Sequence, residues 1–289
     1  MTAPWHAVDP REAAQIAYWN DRTALHWAAL QERIETVFAP LTRLGLDAAA
    51  PCPGEHVLDI GCGCGDTVLA LANAVGPAGH VLGVDVSAPM TARARERLAE
   101  AGIGHADVVV ADAADQAFPP AQRDLLFSRF GVMFFAEPEA AAANLRCAMR
   151  SGGRLCWVVY RALEDNPWFT VPLQAASPWL PPSPPADPAA PGTFALADPD
   201  RVRLVLGAAG WREVHLTRHD LPLRLGSVAE ADAAADLVSW MGPLARRLPG
   251  LTEVARVAAQ RAVADALRAH AQRDELVLTA SIWIVSARA

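Results

Sequence analysis

The chain has 289 residues and a mass of 30.7 kDa, enough for one large α/β domain with an appendage or for two modest domains, and a hydrophobic fraction of 52% excludes wholesale disorder. A formal charge of −7 and a pI of about 5.6 argue against a nucleic-acid partner, whose footprint would have to be a local basic patch against the overall field. All 25 basic residues are arginine, so P-loop and Schiff-base lysines, Ser-Lys dyads and the Tyr-Lys pair of short-chain dehydrogenases are excluded.

The longest apolar runs, such as "LCWVVY" at Leu155–Tyr160, are too short to span a bilayer, and no membrane partner is expected. The opening "MTAPWHAVDPREAAQ" has no basic stretch leading into an apolar one, so no secretory signal is read and the cytoplasm is the expected compartment. Five cysteines (Cys52, Cys62, Cys64, Cys147 and Cys156) form an odd set without disulfide-framework spacing, which suits a reducing compartment.

Residues 1–53 read as an N-terminal helical cap. Ile16, Trp19, Leu30, Ile34, Val37 and Phe38 recur at helical spacing, and Pro40 is expected to interrupt the run. From residue 54 to 161 short apolar strands alternate with Ala-rich helices. "HVLDI" is followed by a helix over Asp66–Val75, and "GHVLGVD" by a helix capped at Ser87, with Met90, Ala94 and Leu98 on one face. "ADVVVAD", "DLLFS" and "GGRLCWVVY" supply three further strands, the last after a helix over Glu139–Arg150. Such alternation implies crossovers and a parallel, doubly wound α/β sheet.

Residues 162–200 form an insertion. Between Pro167 and Pro191 nine of 25 residues are proline, so no packed helix or strand is expected to run through it. A stiff surface linker and a lid over a site are both open readings, and Trp168, Phe169 and Trp179 are costly to expose. Residues 201–289 complete the core sheet. The helix starting at Asp198 and Pro199 stops at Gly210, "WREVHLTRH" is a sixth strand with His215 and His219 at its surface, and helices over about 228–241 and 251–271 precede the last strand, "ELVLTASIWIVSA".

The turn "DIGCGCG" places Gly61, Gly63 and Gly65 between the first strand and its helix, where a backbone without Cβ atoms can approach a ligand beside a helix N-terminus. A dinucleotide fingerprint would read G-x-G-x-x-G. The order here is G-C-G-C-G, and Asp59 before it sits awkwardly beside a pyrophosphate but suits an ammonium group. Asp85 ends the second strand 26 residues later, where a carboxylate can accept two ribose hydroxyls, and Asp112 ends the third after 27 more, where it can accept an adenine amino group.

These residues resemble a known family. "VLDIGCGCG", "VLGVDVS" and "VVVADA" are similar to the first three cofactor motifs of the class I S-adenosylmethionine-dependent methyltransferases, and "LRCAMRSGGRLC" to the helix-turn-strand written L-x-P-G-G there, with Ser151 in place of proline. The likeness is close over 54–161 and holds in pattern over 198–286, and the nearest relatives in appearance are the small-molecule enzymes of ubiquinone and menaquinone biosynthesis. It implies a Rossmann-like seven-stranded sheet with an antiparallel last strand. It also implies S-adenosyl-L-methionine as cofactor, with methionine near Gly61, Cys62 and Gly63, ribose on Asp85, and adenine between Val86, Met90, Asp112 and Ala113.

Cys62 and Cys64 have no further Cys or His ligands nearby, so they are read as small loop-filling residues and no metal is expected. In "FSRFGVMFF", Ser128 and Arg129 break an apolar run where the sheet opens and are the best active-site pair. Ser128 is placed with the cofactor, and Arg129, Phe130, Phe134 and Trp168 with the acceptor. Arg129 has two open roles, orienting the acceptor or holding the loop. Trp19 and Trp27 are candidates to cover the methionine end, and Tyr18, His26 and Tyr160 are the options for a general base, none of them preferred.

The reading is therefore a methyltransferase acting on a small, largely apolar acceptor through an undetermined O, N, S or C atom, with the oligomeric state open. A nicotinamide-dependent oxidoreductase is disfavoured by the glycine spacing, Asp59 and the missing lysine. A non-catalytic cofactor-binding regulatory protein is the other alternative.

Overall fold

The computed structural model describes residues 9–182, 187 and 190–289. Strands β1 (His56–Ile60), β2 (His80–Asp85), β3 (Ala106–Val110), β4 (Arg123–Arg129), β5 (Met149–Tyr160), β6 (Arg212–Ser227) and β8 (Glu275–Arg288) form one sheet in the order β3-β2-β1-β4-β5-β8-β6, and the two-residue β7 (Ala271–Gln272) pairs with β8. The first five strands are parallel, and β8 runs antiparallel to both β5 and β6. This is the expected Rossmann-like topology with its antiparallel last strand, and the added β7 is a minor hairpin.

Helices α4 (Asp66–Val75) and α5 (Ala88–Glu100) follow β1 and β2. Ser87 caps α5 by accepting from the Met90 amide, and Met90, Ala94 and Leu98 are buried on one face, as their spacing predicts. The order of strands reverses between β1 and β4, whose register aligns Asp59 with Phe127. Their carboxyl ends therefore diverge into a crevice, the place where open α/β sheets take ligands.

Several elements differ from the sequence expectation; helix α6 (Pro138–Cys147) stops short of the expected Arg150 because β5 already begins at Met149. Helix α3 (Gln31–Ala49) runs unbroken through Pro40. Pro40 is exposed, so the carbonyl it leaves unbonded faces water, while Ile34, Val37, Phe38 and Leu41 bury the opposite stripe and hold both halves to the core. The proline-rich insertion begins as a helix, α7 (Pro167–Ala176), although Pro172 lies inside it. An interior proline costs roughly 3 kcal/mol, and the buried Trp168 and Phe169, at roughly 1.5–3 kcal/mol or more each, offset it. Strand β6 continues past His219 to Ser227 because β8 offers it partners as far as Glu275; His215 is exposed and His219 half-buried.

The insertion returns at Gly192, whose N–H donates to the Met133 carbonyl (3.0 Å). Residues 183–186 and 188–189 of the expected lid lie outside the described residues. Helices α1 (Pro10–Tyr18) and α2 (Arg22–Ala29) form the cap proper, whereas α3 packs into the same core as β4 and β5. On the far side α8 (Pro199–Ala208) precedes β6, and α9 (Ala231–Ser239), α10 (Gly242–Arg247) and α11 (Glu253–Ala269) lie between β6 and β7. Among the described residues no helix is long and apolar enough to cross a membrane.

Candidate active site

A cleft of about 1450 Å³, counted out to open solvent, lies over the carboxyl ends of β1, β2 and β4 between the cap, α7 and the α9–α10 turn. Its two halves differ in construction. The first is made of backbone. Gly61, Gly63 and Gly65 all take positive φ (70°, 52° and 88°), and a Cβ on Gly61 would stand 2.4 Å from the Gly131 Cα, so a side chain there would push two loops apart. A Cβ on Gly63 would meet the Met90 Cε at 2.9 Å, where the loop faces the cleft.

Asp85 receives the amides of Gly63 (2.8 Å) and Ser87 (2.9 Å), and burial raises its pKa against those bonds. Val86 and Met90 line the cleft beside it. Asp112, which accepts from the Ala114 amide (2.9 Å), and Ala113 close the far end. The cap is tied to this half by Asn20, which donates to the Val86 carbonyl (2.9 Å) and accepts from the Ala88 amide (3.0 Å). Trp19 lines the cleft edge-on to Trp27 (5.8 Å) and Phe134 (5.2 Å).

Asp59 and Ser128 do not line the cleft, contrary to the sequence reading. Asp59 is fully buried behind the glycine loop, where the Thr67 hydroxyl donates to it (2.5 Å) and desolvation pushes its carboxyl up to about 7. Ser128 is also fully buried and staples two loops, donating to the Ile60 carbonyl (2.7 Å) and accepting from the Gly131 amide (3.2 Å). Both residues shape the glycine turn from behind. Cys62 and Cys64 are buried loop residues whose thiols burial pushes up, Cys64 to about 12.

The second half is made of side chains from distant segments. Phe130, at φ 69°, is a bulky residue in the left-handed region, a strain of roughly 1–3 kcal/mol that clusters at functional sites. The strain delivers its ring parallel to Tyr160 (4.1 Å, 1°). Phe38, Trp168 and Phe169 complete the nest, with Trp168 5.6 Å from Phe38 and Phe169 4.9 Å from Tyr160. Tyr160 is 3% exposed, its hydroxyl makes no hydrogen bond among the described residues, and burial raises its pKa well above the usual value. The indole N–H groups of Trp27 and Trp168 are likewise unpartnered among the described residues.

Arg129 lines this half, but its guanidinium is committed. It donates to Asp66 (2.5 Å) and to the Thr42 hydroxyl, and it sits 5.5 Å over the Phe38 ring. Of the two roles open in the sequence, this geometry is the loop-holding one, a brace between β4, α3 and the start of α4. Among the base candidates, Tyr160 and Tyr18 line the cleft, Tyr18 beneath the Arg246 guanidinium (4.2 Å). His26 does not; it stacks on Trp240 (3.4 Å) and bonds the Arg22 carbonyl through Nδ1 (2.9 Å).

Sequence reasoning missed Glu12, Gln15, Glu35, Met241 and Arg246, all of which line the cleft. Glu12, Gln15 and Trp19 share a helical spacing that could have signalled one face of α1. Nothing near Arg246 could have done so.

The family described as "Methyltransferase domain" matches residues 57–153. Nocamycin O-methyltransferase of Saccharothrix syringae is 32% identical over 213 residues, covering 70% of this chain and 73% of that protein. The chain belongs to the S-adenosylmethionine-dependent methyltransferases. A ubiquinone/menaquinone biosynthesis C-methyltransferase of Pseudomonas savastanoi pv. phaseolicola is 33% identical over 114 residues, covering 39% of this chain and 44% of that one. The solved structure of the YcgJ protein from Bacillus subtilis superposes with a TM-score of 0.56 at 17% identity, over 86% of this chain and 97% of its own, and shows the shared fold. The methyltransferase takes S-adenosyl-L-methionine and transfers its methyl group to a small molecule, which sets aside the oxidoreductase and regulatory readings. The residues present fit that cofactor: the positive-φ turn at Gly61 and Gly63 lines the cleft with bare backbone at the end of β1, and a carboxylate, Asp85 or Asp112, lines it at the end of β2 and just after β3.

Proposed function

We propose that the methyltransferase acts on a flat, largely apolar acceptor packed against the aromatic wall of Phe38, Phe130, Tyr160 and Trp168. The observation that carries this reading is the strained Phe130 backbone, which holds an aromatic face parallel to Tyr160 next to the glycine turn. Stacked and edge-to-face rings select planar ligands at modest energetic gain each, of about 0.5–1.5 kcal/mol. When bound, S-adenosylmethionine supplies an electrophilic methyl group on its sulfonium. Asp85 accepts the ribose hydroxyls, Asp112 the adenine amino group, Val86 and Met90 flank the ring, and the methionine part lies along the Gly61–Gly63 turn, whose glycines leave the backbone uncovered.

Trp19 and Trp27 cover that end and exclude water, so catalysis rests on positioning. In the acceptor half the Tyr160 hydroxyl, unpartnered among the described residues, donates to an acceptor oxygen and fixes its approach. With its pKa raised, Tyr160 serves as a donor and not as a base. Single-turnover methyl transfer to planar polycyclic phenols and acids, compared with open-chain alcohols and amines of equal carbon number, tests the reading. Turnover confined to the open-chain set would overturn it.

A further inference from the structure

Resting on the flat-acceptor reading, two observations together say something about the acceptor's charge. First, the acceptor half holds no unengaged base among the described residues. Asp66 is paired with Arg129, Glu35 is held by Arg97 in two bonds (2.6 and 2.8 Å), and His26 lies outside the cleft. An acceptor that reaches the methyl group protonated would find nothing there to take its proton. Second, two guanidinium groups line the cleft, and only Arg129 has a carboxylate partner among the described residues. Arg246, on α10 at the exposed mouth, donates to the side-chain Oε1 of Gln15 (3.0 Å) and lies over the face of Tyr18 (4.2 Å), two neutral groups. The Arg246 charge at the cleft mouth is therefore not neutralised by a carboxylate of the described residues, and it offers an anion entering from solution a local attraction against the overall charge of −7.

We infer that the acceptor carries a carboxylate or comparably acidic group, which Arg246 receives at the mouth of the cleft between α1 and α10. The anchors leave the guanidinium edge free for the planar, two-toothed contact that carboxylates favour. Arg246 is on the helix that begins directly after Trp240 and Met241, and the first residue of that helix, Gly242, packs against Phe169 of the acceptor half. The cofactor's own carboxylate is the other source of the same chemistry, and the experiment separates the two.

The test uses the full chain with S-adenosylhomocysteine bound, reading quenching of tryptophan fluorescence from Trp27, Trp168 and Trp240 in the cleft wall. The probes are anthraquinone-2-carboxylate against its carboxamide, and decanoate against decanamide. The wild-type protein is expected to bind at least one carboxylate about fivefold more tightly than its amide, with the preference shrinking as salt is raised, as for a partly exposed ion pair. Arg246→Gln is expected to abolish the preference, leaving amide binding, melting temperature and S-adenosylhomocysteine affinity unchanged, and Arg246→Lys to restore part of it. Equal binding of acid and amide in both pairs overturns the inference while leaving the flat-acceptor reading intact, and so does a failure of both carboxylates to bind. A fall in S-adenosylhomocysteine affinity in Arg246→Gln also overturns it, assigning the cation to the cofactor. If the anion preference appears only with decanoate, the inference stands and the flat-acceptor reading falls.

Discussion

The two halves of the cleft are made of different material. The cofactor half is backbone: three glycines, the amides of Gly63 and Ser87, and carboxylates fixed at the ends of β2 and β3. The acceptor half is side chains from α3, the β4 and β5 ends, α7 and the α9–α10 turn, with Phe38 and Met241 at its extremes in the sequence. A site made of backbone tolerates almost no change and keeps one ligand, whereas a site made of side chains can be recut without touching the sheet.

The sharpest test of that contrast is Gly61→Val. With φ at 70° and the Gly131 Cα in the path of any Cβ, the variant should lose on the order of 3 kcal/mol or more of stability, together with S-adenosylhomocysteine binding, by thermal melting and calorimetry. A variant with wild-type melting temperature and binding would show the turn to be more pliant than its geometry implies. Next in size is Asp85→Ala, expected to cost roughly 1.5–3 kcal/mol of cofactor affinity, the usual loss for charge-assisted hydrogen bonds. Unchanged calorimetric affinity in the folded variant removes Asp85 from the ribose site.

In the other half, Tyr160→Phe keeps the ring stack and deletes only the hydroxyl. It should lower kcat/KM about tenfold, near 1.4 kcal/mol, with melting temperature and cofactor affinity unchanged. A parallel fall in cofactor affinity would erase the division between the halves. The smallest effect concerns the cap. Burial, a hydrogen bond to Asp112 and repulsion from Asp112, Asp115 and Asp9 raise Glu12 from 4.5 to about 8. An acid whose pKa rises on docking favours docking while protonated, so the cap should hold best below about pH 4.5 and loosen as pH climbs towards 8. Hydrogen exchange of α1 should quicken over that range in the wild-type protein and stay flat, after correction for intrinsic exchange, in Glu12→Gln.

The same contrast explains what could be read from the sequence. The strand-helix alternation and the placing of the glycine turn, Asp85 and Asp112 along one cleft were legible because each stands at or just after a strand end of a sheet whose order the alternation implies. Pro40 and Pro172 misled because a helix propensity is local, while the burial that outweighs it at Phe38 and Trp168 is tertiary. Asp59 and Ser128 stand at the right strand ends but face the loop from behind, a distinction that spacing does not carry. Arg246 became visible only when α10 was placed against Tyr18, since its significance lies in the carboxylate it lacks.

The position of β8 bears on how the protein is made. This strand is the last of the sheet to leave the ribosome, yet it lies between β5 and β6 and pairs with both. Until residues 275–288 emerge, the edge of β5 from Arg154 to Tyr160 has no neighbour, and the apolar run Leu155–Tyr160 is uncovered on a growing chain. An open hydrophobic edge is a template for pairing between nascent chains. Ribosome stalling within the α9–α11 region should therefore yield aggregating fragments, although the cofactor half of the cleft has by then been fully translated.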